Sequence, residues 1–280
     1  MLRSMPRGPN PPPGARAVAR VAALSLLAAL ALGGCRSEEP DDSAFRAARA
    51  EARGAEPARA AEAPPAEDGV AHAQAPGNPP PTGTPAPDPR LLRPAAANEQ
   101  APERYTVELT TTEGPILIDV TRAWAPLGAD RFYNLVKIGF FEDMAFFRVI
   151  EGFMAQTGLH GDPRVNRAWR TASIQDDPVR QSNTRGRVTF ATSGANSRTT
   201  QFFINFGDNS RLDGMGFAPF GQVRDMRAVD ALHAGYGEGA PRGRGPSQGR
   251  IQSQGNAYLR QAFPELDYIR SARIVSEGGQ

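Results

Sequence analysis

Only one of the 280 residues is cysteine, Cys35, and only three are histidine. A lone cysteine excludes an intramolecular disulfide. His72, His160 and His233 lie far apart with no second ligand type clustered beside them, so no metal site is expected and no cofactor is implied. Lysine is nearly missing too, Lys137 being the only one, and the other cations are arginine. The 32 basic residues are balanced by 30 acidic ones, and neither a Lys/Arg run nor an RNA-type aromatic motif occurs, so nucleic acid is not an expected partner. Past residue 32 no apolar run is long enough to span a bilayer, and no internal repeat is visible.

What is present divides the chain into three parts. Arg3, Arg7, Arg16 and Arg20 precede an apolar run, Val21 to Leu32, that is short for a membrane span but the right length for the h-region of a signal peptide. Leu32-Gly33-Gly34-Cys35 closes it and resembles the lipobox of bacterial lipoproteins. That resemblance implies a signal peptide over 1–34, cleavage before Cys35, lipidation of Cys35 and a membrane anchor facing the periplasm. Arg36 stands where an Asp would resemble an inner-membrane retention signal, which favours the outer membrane. Residues 35–102 are rich in Ala, Pro, Glu and Arg, with Phe45, Val70, Leu91 and Leu92 as their only large apolar side chains. Such a segment buries too little to offset the entropy of ordering, so a disordered tether is expected, a spacer rather than a ligand for a polyproline-binding domain. Residues 103–280 hold most of the aromatic and β-branched content, enough for a single core.

Within that last part Tyr105–Thr110 alternates apolar and polar residues, Glu113-Gly114 signals a turn, and Ile116–Val120 alternates again, which predicts a β-hairpin. Ala129–Ile138 sets Phe132, Leu135 and Val136 at helical spacing behind Asp130, and Met226–His233 reads as a second helix. Phe146–Ile150, Arg187–Ala191, Gln201–Phe206, Phe217–Val223 and Ile269–Val275 are short apolar strands between polar loops. They predict a mainly β domain, either a closed barrel or a sandwich. Residues 235–264, with Tyr236-Gly237-Glu238-Gly239 and Arg242, Arg244 and Arg250, read as a solvated Gly-rich loop rather than a partner-binding one, with a short helix packing back through Tyr258, Leu259 and Phe263.

Arg148 and Gln156 are polar tools among large apolar neighbours. An unpaired buried guanidinium is very costly, so Arg148 is expected at a groove where its head meets an acceptor. Arg148 followed by Gly152-Phe153-Met154-Ala155-Gln156, then Gln201-Phe202-Phe203-Ile204, Leu212-Asp213-Gly214 and Phe220-Gly221, in this order, is similar to the cyclophilin family of peptidyl-prolyl isomerases, over roughly residues 105–275. The resemblance implies a closed eight-stranded antiparallel barrel capped by two helices, acting on proline-containing peptides as a monomer. It implies Arg148 and Gln156 as catalytic residues and Phe153, Met154, Ala191, Thr192, Phe203, Leu212 and Phe217 as the substrate pocket. The chain departs from the family at Thr192, at Phe147, at Arg211, which argues against tight cyclosporin binding, and at Gly216-Phe217, where a His usually stands. A rival reading follows from that last change: a catalytically weakened module or chaperone that binds proline segments at the envelope. An inert barrel acting as a spacer is the third.

Overall fold

Alternating side chains in the first hairpin set one face of the sheet inward. Val107 and Leu109 on β1 (Arg104–Thr111) and Ile116, Ile118 and Val120 on β2 (Gly114–Thr121) are buried, while intervening residues are partly exposed. The computed structural model describes residues 88–278. The expected signal segment, Cys35 and most of the expected tether lie outside the described residues.

Seven further strands follow: β3 (Met144–Ala145), β4 (Arg148–Ile150), β5 (Met154–Thr157), β6 (Arg187–Phe190), β7 (Phe202–Asn205), β8 (Pro219–Val223) and β9 (Tyr268–Gly278). They form one antiparallel sheet in the order β3-β9-β1-β2-β8-β6-β7-β5-β4. The two strands at opposite ends of that order, β3 and β4, are separated in sequence only by Phe146 and Phe147. Two residues span too little distance to join the edges of a flat sheet, so the sheet curls round until its ends meet. Counted as one bent strand, β3 and β4 reduce nine strands to the expected eight.

The helices only partly match expectation. Helix α1 (Pro126–Lys137) lies where predicted and buries Phe132, Leu135 and Val136. Ala125 offers no capping side chain, and the buried carboxylate of Asp177 serves instead, accepting from the N–H groups of Leu127 at 3.1 Å and Gly128 at 2.9 Å. Asp177 also pairs at 3.0 Å with Arg198, itself buried. Arg131 on α1 donates to the carbonyls of Ala172 and Thr199, and burial, with Arg198 nearby, lowers it to about 10. These bonds fix the loop that runs from β6 to β7 beside the site.

Sequence reading missed a short helix, α2 (Pro163–Trp169), although Asp162-Pro163 carries both a cap and a preferred first residue. The predicted helix over 226–233 shrinks to one turn, α3 (Arg227–Asp230), because the next hydrogen bond, Leu232 N to Val229 O, already tightens to the 3-10 pattern. The long second helix is α4 (Gln248–Ala262), and it is bent at Gly255, where φ is +59°. A Cβ at Gly255 would overlap the Gly161 carbonyl, which accepts from Asn256 N at 2.9 Å, so only glycine fits this crossing. Helix α4 packs Ile251, Tyr258 and Leu259 on Ala145, Phe147 and Leu159, in a cluster apart from the main core.

The folded part also starts earlier than residue 103. Residues 89–92 and 94–96 form 3-10 turns, the Leu91 carbonyl accepts from Trp169 Nε1 at 2.9 Å, and Ala97 and Ala101 join the core. Leu91 packed on the core, its carbonyl held by one indole bond, helps order a stretch whose composition alone reads as linker.

Asp177→Ala should lower stability by about 3–5 kcal/mol in urea unfolding, since it leaves Arg198 as a buried charge without this partner and uncaps α1. A change below about 1 kcal/mol would contradict this reading of the cap.

Candidate active site

Antiparallel pairing at the β4 end of the sheet places the site. Arg148 lies opposite Gln156 and Ile150 opposite Met154 across β4 and β5. Gln156 in turn lies opposite Phe203 on β7, and Phe203 opposite Thr189 on β6. Direct partners share a face, so Arg148, Gln156, Phe203 and Thr189 form one row on the face away from Val149, Ala155, Ile204 and Val188, which belong to the core. The two-residue period that fills the core thereby sends the polar pair outward.

Glu238 and Gln156 both hold Arg148. Glu238 accepts in bidentate fashion from Nε at 2.6 Å and Nη2 at 2.8 Å, and Gln156 Oε1 accepts from Nη1 at 2.9 Å. Gln156 passes the chain on through Nε2 to Gln201 Oε1 at 2.8 Å. Burial pushes the Glu238 carboxyl up, but the bonds and charge of Arg148, the Gly239 N–H and the charge of Arg242 outweigh it and hold Glu238 below the ordinary glutamate range. Glu238 is thus ionised at neutral pH. Its contribution to stability is complete above the ordinary glutamate pKa and is lost as pH falls through the lowered value.

Beside the guanidinium lies an apolar cluster. Met154, Phe203, Leu212 and Phe217 are its buried members, with Ile150, Phe153, Ala191 and Met215 packed against it. Met154 Sδ stands 3.9 Å from Arg148 Nη1, so charge and cluster are in contact. Phe217, which with Gly216 departs from the usual His, meets Phe203 edge to face at 5.8 Å. Phe153 sits at the rim, its carbonyl bonded by Phe206 N and Asn209 Nδ2, and Arg211 lies 5.2 Å over its ring. Ala191 and Thr192, half-buried, line a neighbouring cavity of about 330 Å³ together with Gln156, Gln201, Leu159 and Trp169. The apolar cluster adjoins this cavity through Ala191.

A buried polar network fixes the apolar wall. Asn183 Nδ2 donates to Asp213 Oδ1 and to the Phe217 carbonyl, both at 2.8 Å, while Asn183 Oδ1 accepts from Thr189 Oγ1 at 2.8 Å. Asp213 also accepts from Ser182 Oγ and Asn183 N, which ties down the turn Ser210–Met215 that carries Leu212. Neither Asn183 nor Asn209, which also donates to Asn205 Oδ1 at 2.7 Å, was singled out from sequence.

All nine predicted side chains therefore fall at one end of the sheet, in the row, the cluster or the adjoining cavity. Glu238 was missed. A surface carboxylate such as Glu151 is a natural candidate partner for Arg148 from sequence, but Glu151 is exposed on the β4–β5 turn and the partner comes from 90 residues away. Its one sequence signal is an acid set between two glycines, Gly237-Glu238-Gly239, in a loop otherwise rich in arginine.

The stretch that comparison with known proteins matches contains every residue of this site. The family model for cyclophilin type peptidyl-prolyl cis-trans isomerases matches residues 106–253. A peptidyl-prolyl cis-trans isomerase of Dictyostelium discoideum is 34% identical over 133 residues, covering 46% of this chain and 85% of its own. Peptidyl-prolyl cis-trans isomerase A of Dickeya dadantii is 35% identical over 132 residues, 45% of this chain and 70% of its own. One from Acinetobacter baylyi is 36% identical over 132 residues, again 45% and 70%.

Asn183→Ala should cost on the order of 3 kcal/mol in urea unfolding, because it strands several buried partners at once. A cost under about 1 kcal/mol would show that water replaces the amide.

Proposed function

The chain belongs to the cyclophilin type peptidyl-prolyl cis-trans isomerase family, and from that membership we propose that it turns over Xaa–Pro bonds through Arg148, held in the bacterial envelope by lipid on Cys35. Rotation about the bond is opposed by about 18–20 kcal/mol, because the amide nitrogen shares its lone pair with the carbonyl. Twisting localises that pair on nitrogen. A guanidinium aimed at the nitrogen hydrogen-bonds to the twisted form and gains little from the planar one, so its binding lowers the barrier rather than merely holding the substrate.

The observation that carries this reading is the contact between the Arg148 guanidinium and the edge of the apolar cluster at Met154. In the proposed complex the pyrrolidine ring occupies the slot of Phe153, Met154, Phe203, Leu212 and Phe217. The carbonyl end lies toward Gln156, Ala191 and Thr192, where it is free to swing. Gln156, bonded to both Arg148 and Gln201, holds the Nη1 corner of the guanidinium. No nucleophile, metal or general base takes part, since no covalent bond is made or broken.

The envelope placement is supported by the signal-like run and the lipobox-like segment ending at Cys35. More than one acyl chain is needed for a lasting hold, at about 0.8 kcal/mol per buried methylene, and lipoprotein modification supplies them. Clients are then exposed Xaa–Pro segments of unfolded envelope proteins. The rival, a weakened binding module, is favoured by Phe217, whose ring cannot donate a hydrogen bond as an imidazole can.

Arg148→Ala should reduce kcat/KM on an Xaa–Pro peptide by about 100-fold, equivalent to about 2.7 kcal/mol. Peptide binding without turnover in the unsubstituted chain would select the binding module instead. Cys35→Ala should move the chain from the membrane to the soluble fraction of the envelope; unchanged membrane recovery would remove the lipid anchor.

A further inference from the structure

The segment between α3 and α4 reaches back across the site and delivers a carboxylate to Arg148. Its backbone is closed on itself. The Glu238 carbonyl accepts from Gly245 N at 2.9 Å, Gly239 O accepts from Gly243 N at 3.0 Å, and Ala240 N donates to Gly245 O at 3.0 Å. A Cβ at Gly243 would overlap the Glu238 carbonyl, so this loop closes only with glycine there. It is anchored on its far side by α4, which packs on Phe147, the residue preceding Arg148. Glu238 is further fixed by the N–H of Gly239, which donates to Oε1 at 3.0 Å, the same oxygen that accepts from Arg148 Nε.

Resting on the reading that Arg148 is the catalytic group, we propose that Glu238 is its positioning residue, clamping one edge of the guanidinium so that the Nη1 side is aimed at the bound prolyl nitrogen. An arginine head has five N–H groups in a rigid plane, and a bidentate carboxylate on Nε and Nη2 fixes both the plane and its rotation. Gln156 alone, bonded only at Nη1, fixes one point and leaves the plane free to tip. The difference matters because the acceptor is a single lone pair that exists only in the twisted amide, so a small error in aim loses the bond where it lowers the barrier. The carboxylate also balances the charge of a guanidinium that would otherwise be costly beside Met154 and its cluster. Charged groups that bear on Glu238 include Arg148 from β4 and Arg242 from its own loop, and both favour the ionised form.

The test compares the full-length chain with Glu238→Gln, Glu238→Asp and Arg148→Lys, with kcat and KM resolved separately on one Xaa–Pro peptide by NMR exchange. Glu238→Gln should lower kcat by about tenfold or more while KM stays within about twofold, because aim is lost and the apolar slot is not. Glu238→Asp, which keeps the charge on a shorter stem, should fall between the two. A wild-type or raised kcat in Glu238→Gln, or a change confined to KM, would overturn the proposal. Should Glu238→Gln melt below the assay temperature, Glu238→Asp decides alone: wild-type kcat overturns, and a reduced kcat at unchanged KM supports. Equal turnover by wild type and Arg148→Lys would instead overturn the catalytic reading of Arg148, and the positioning role with it.

Discussion

A guanidinium placed against methionine and phenylalanine side chains is the constraint from which the rest of the site follows. It cannot rest there without acceptors, and the molecule supplies them from two directions, Gln156 from the adjacent strand and Glu238 from a loop 90 residues on. The first acceptor comes with the sheet register. The second needs a loop of its own, closed by glycines and braced by α4, which accounts for the long segment between α3 and β9 better than a solvated connector would.

The same economy of parts runs through the apolar side of the site. Phe203, Met154, Leu212 and Phe217 come from two strands, a turn and the stretch that follows it, and they are brought to a common wall by a network of asparagines and Asp213 beneath them. Each polar atom in that network has a partner, which lets a buried amide cluster support a slot for a nonpolar ring. An enzyme that makes no covalent bond has only placement and electrostatics to work with, and placement here means the angle between the guanidinium plane and this wall.

How much of this was legible in sequence depends on distance along the chain. The β1–β2 hairpin and α1 are written in periods of two and near four, and both form where the pattern puts them. Arg148 and Gln156 were legible through the resemblance in motif order, and the register across the β4–β5 turn is what sets them opposite each other. Strand β5 was hidden because Met154–Thr157, buried at every position, shows no alternation. The turn after β8 looked like a longer helix because Val229 and Leu232 keep helical spacing after the hydrogen bonds have changed. Glu238 was not legible, since its partner is chosen by where a glycine-rich loop returns, and no local period encodes a return path. The order of residues 89–97 was likewise hidden, because long-range contacts such as the indole bond to the Leu91 carbonyl and the burial of Ala97 hold a stretch of linker composition.

The central claim is geometric, and a crystal structure of the full chain bound to a short Xaa–Pro peptide tests it most directly. The account predicts a pyrrolidine ring against Met154, Phe203, Leu212 and Phe217, the prolyl nitrogen within about 3.5 Å of the Arg148 guanidinium, and Glu238 still bidentate on its far edge. A peptide seated elsewhere, or an Arg148 turned away from the prolyl nitrogen, would contradict it.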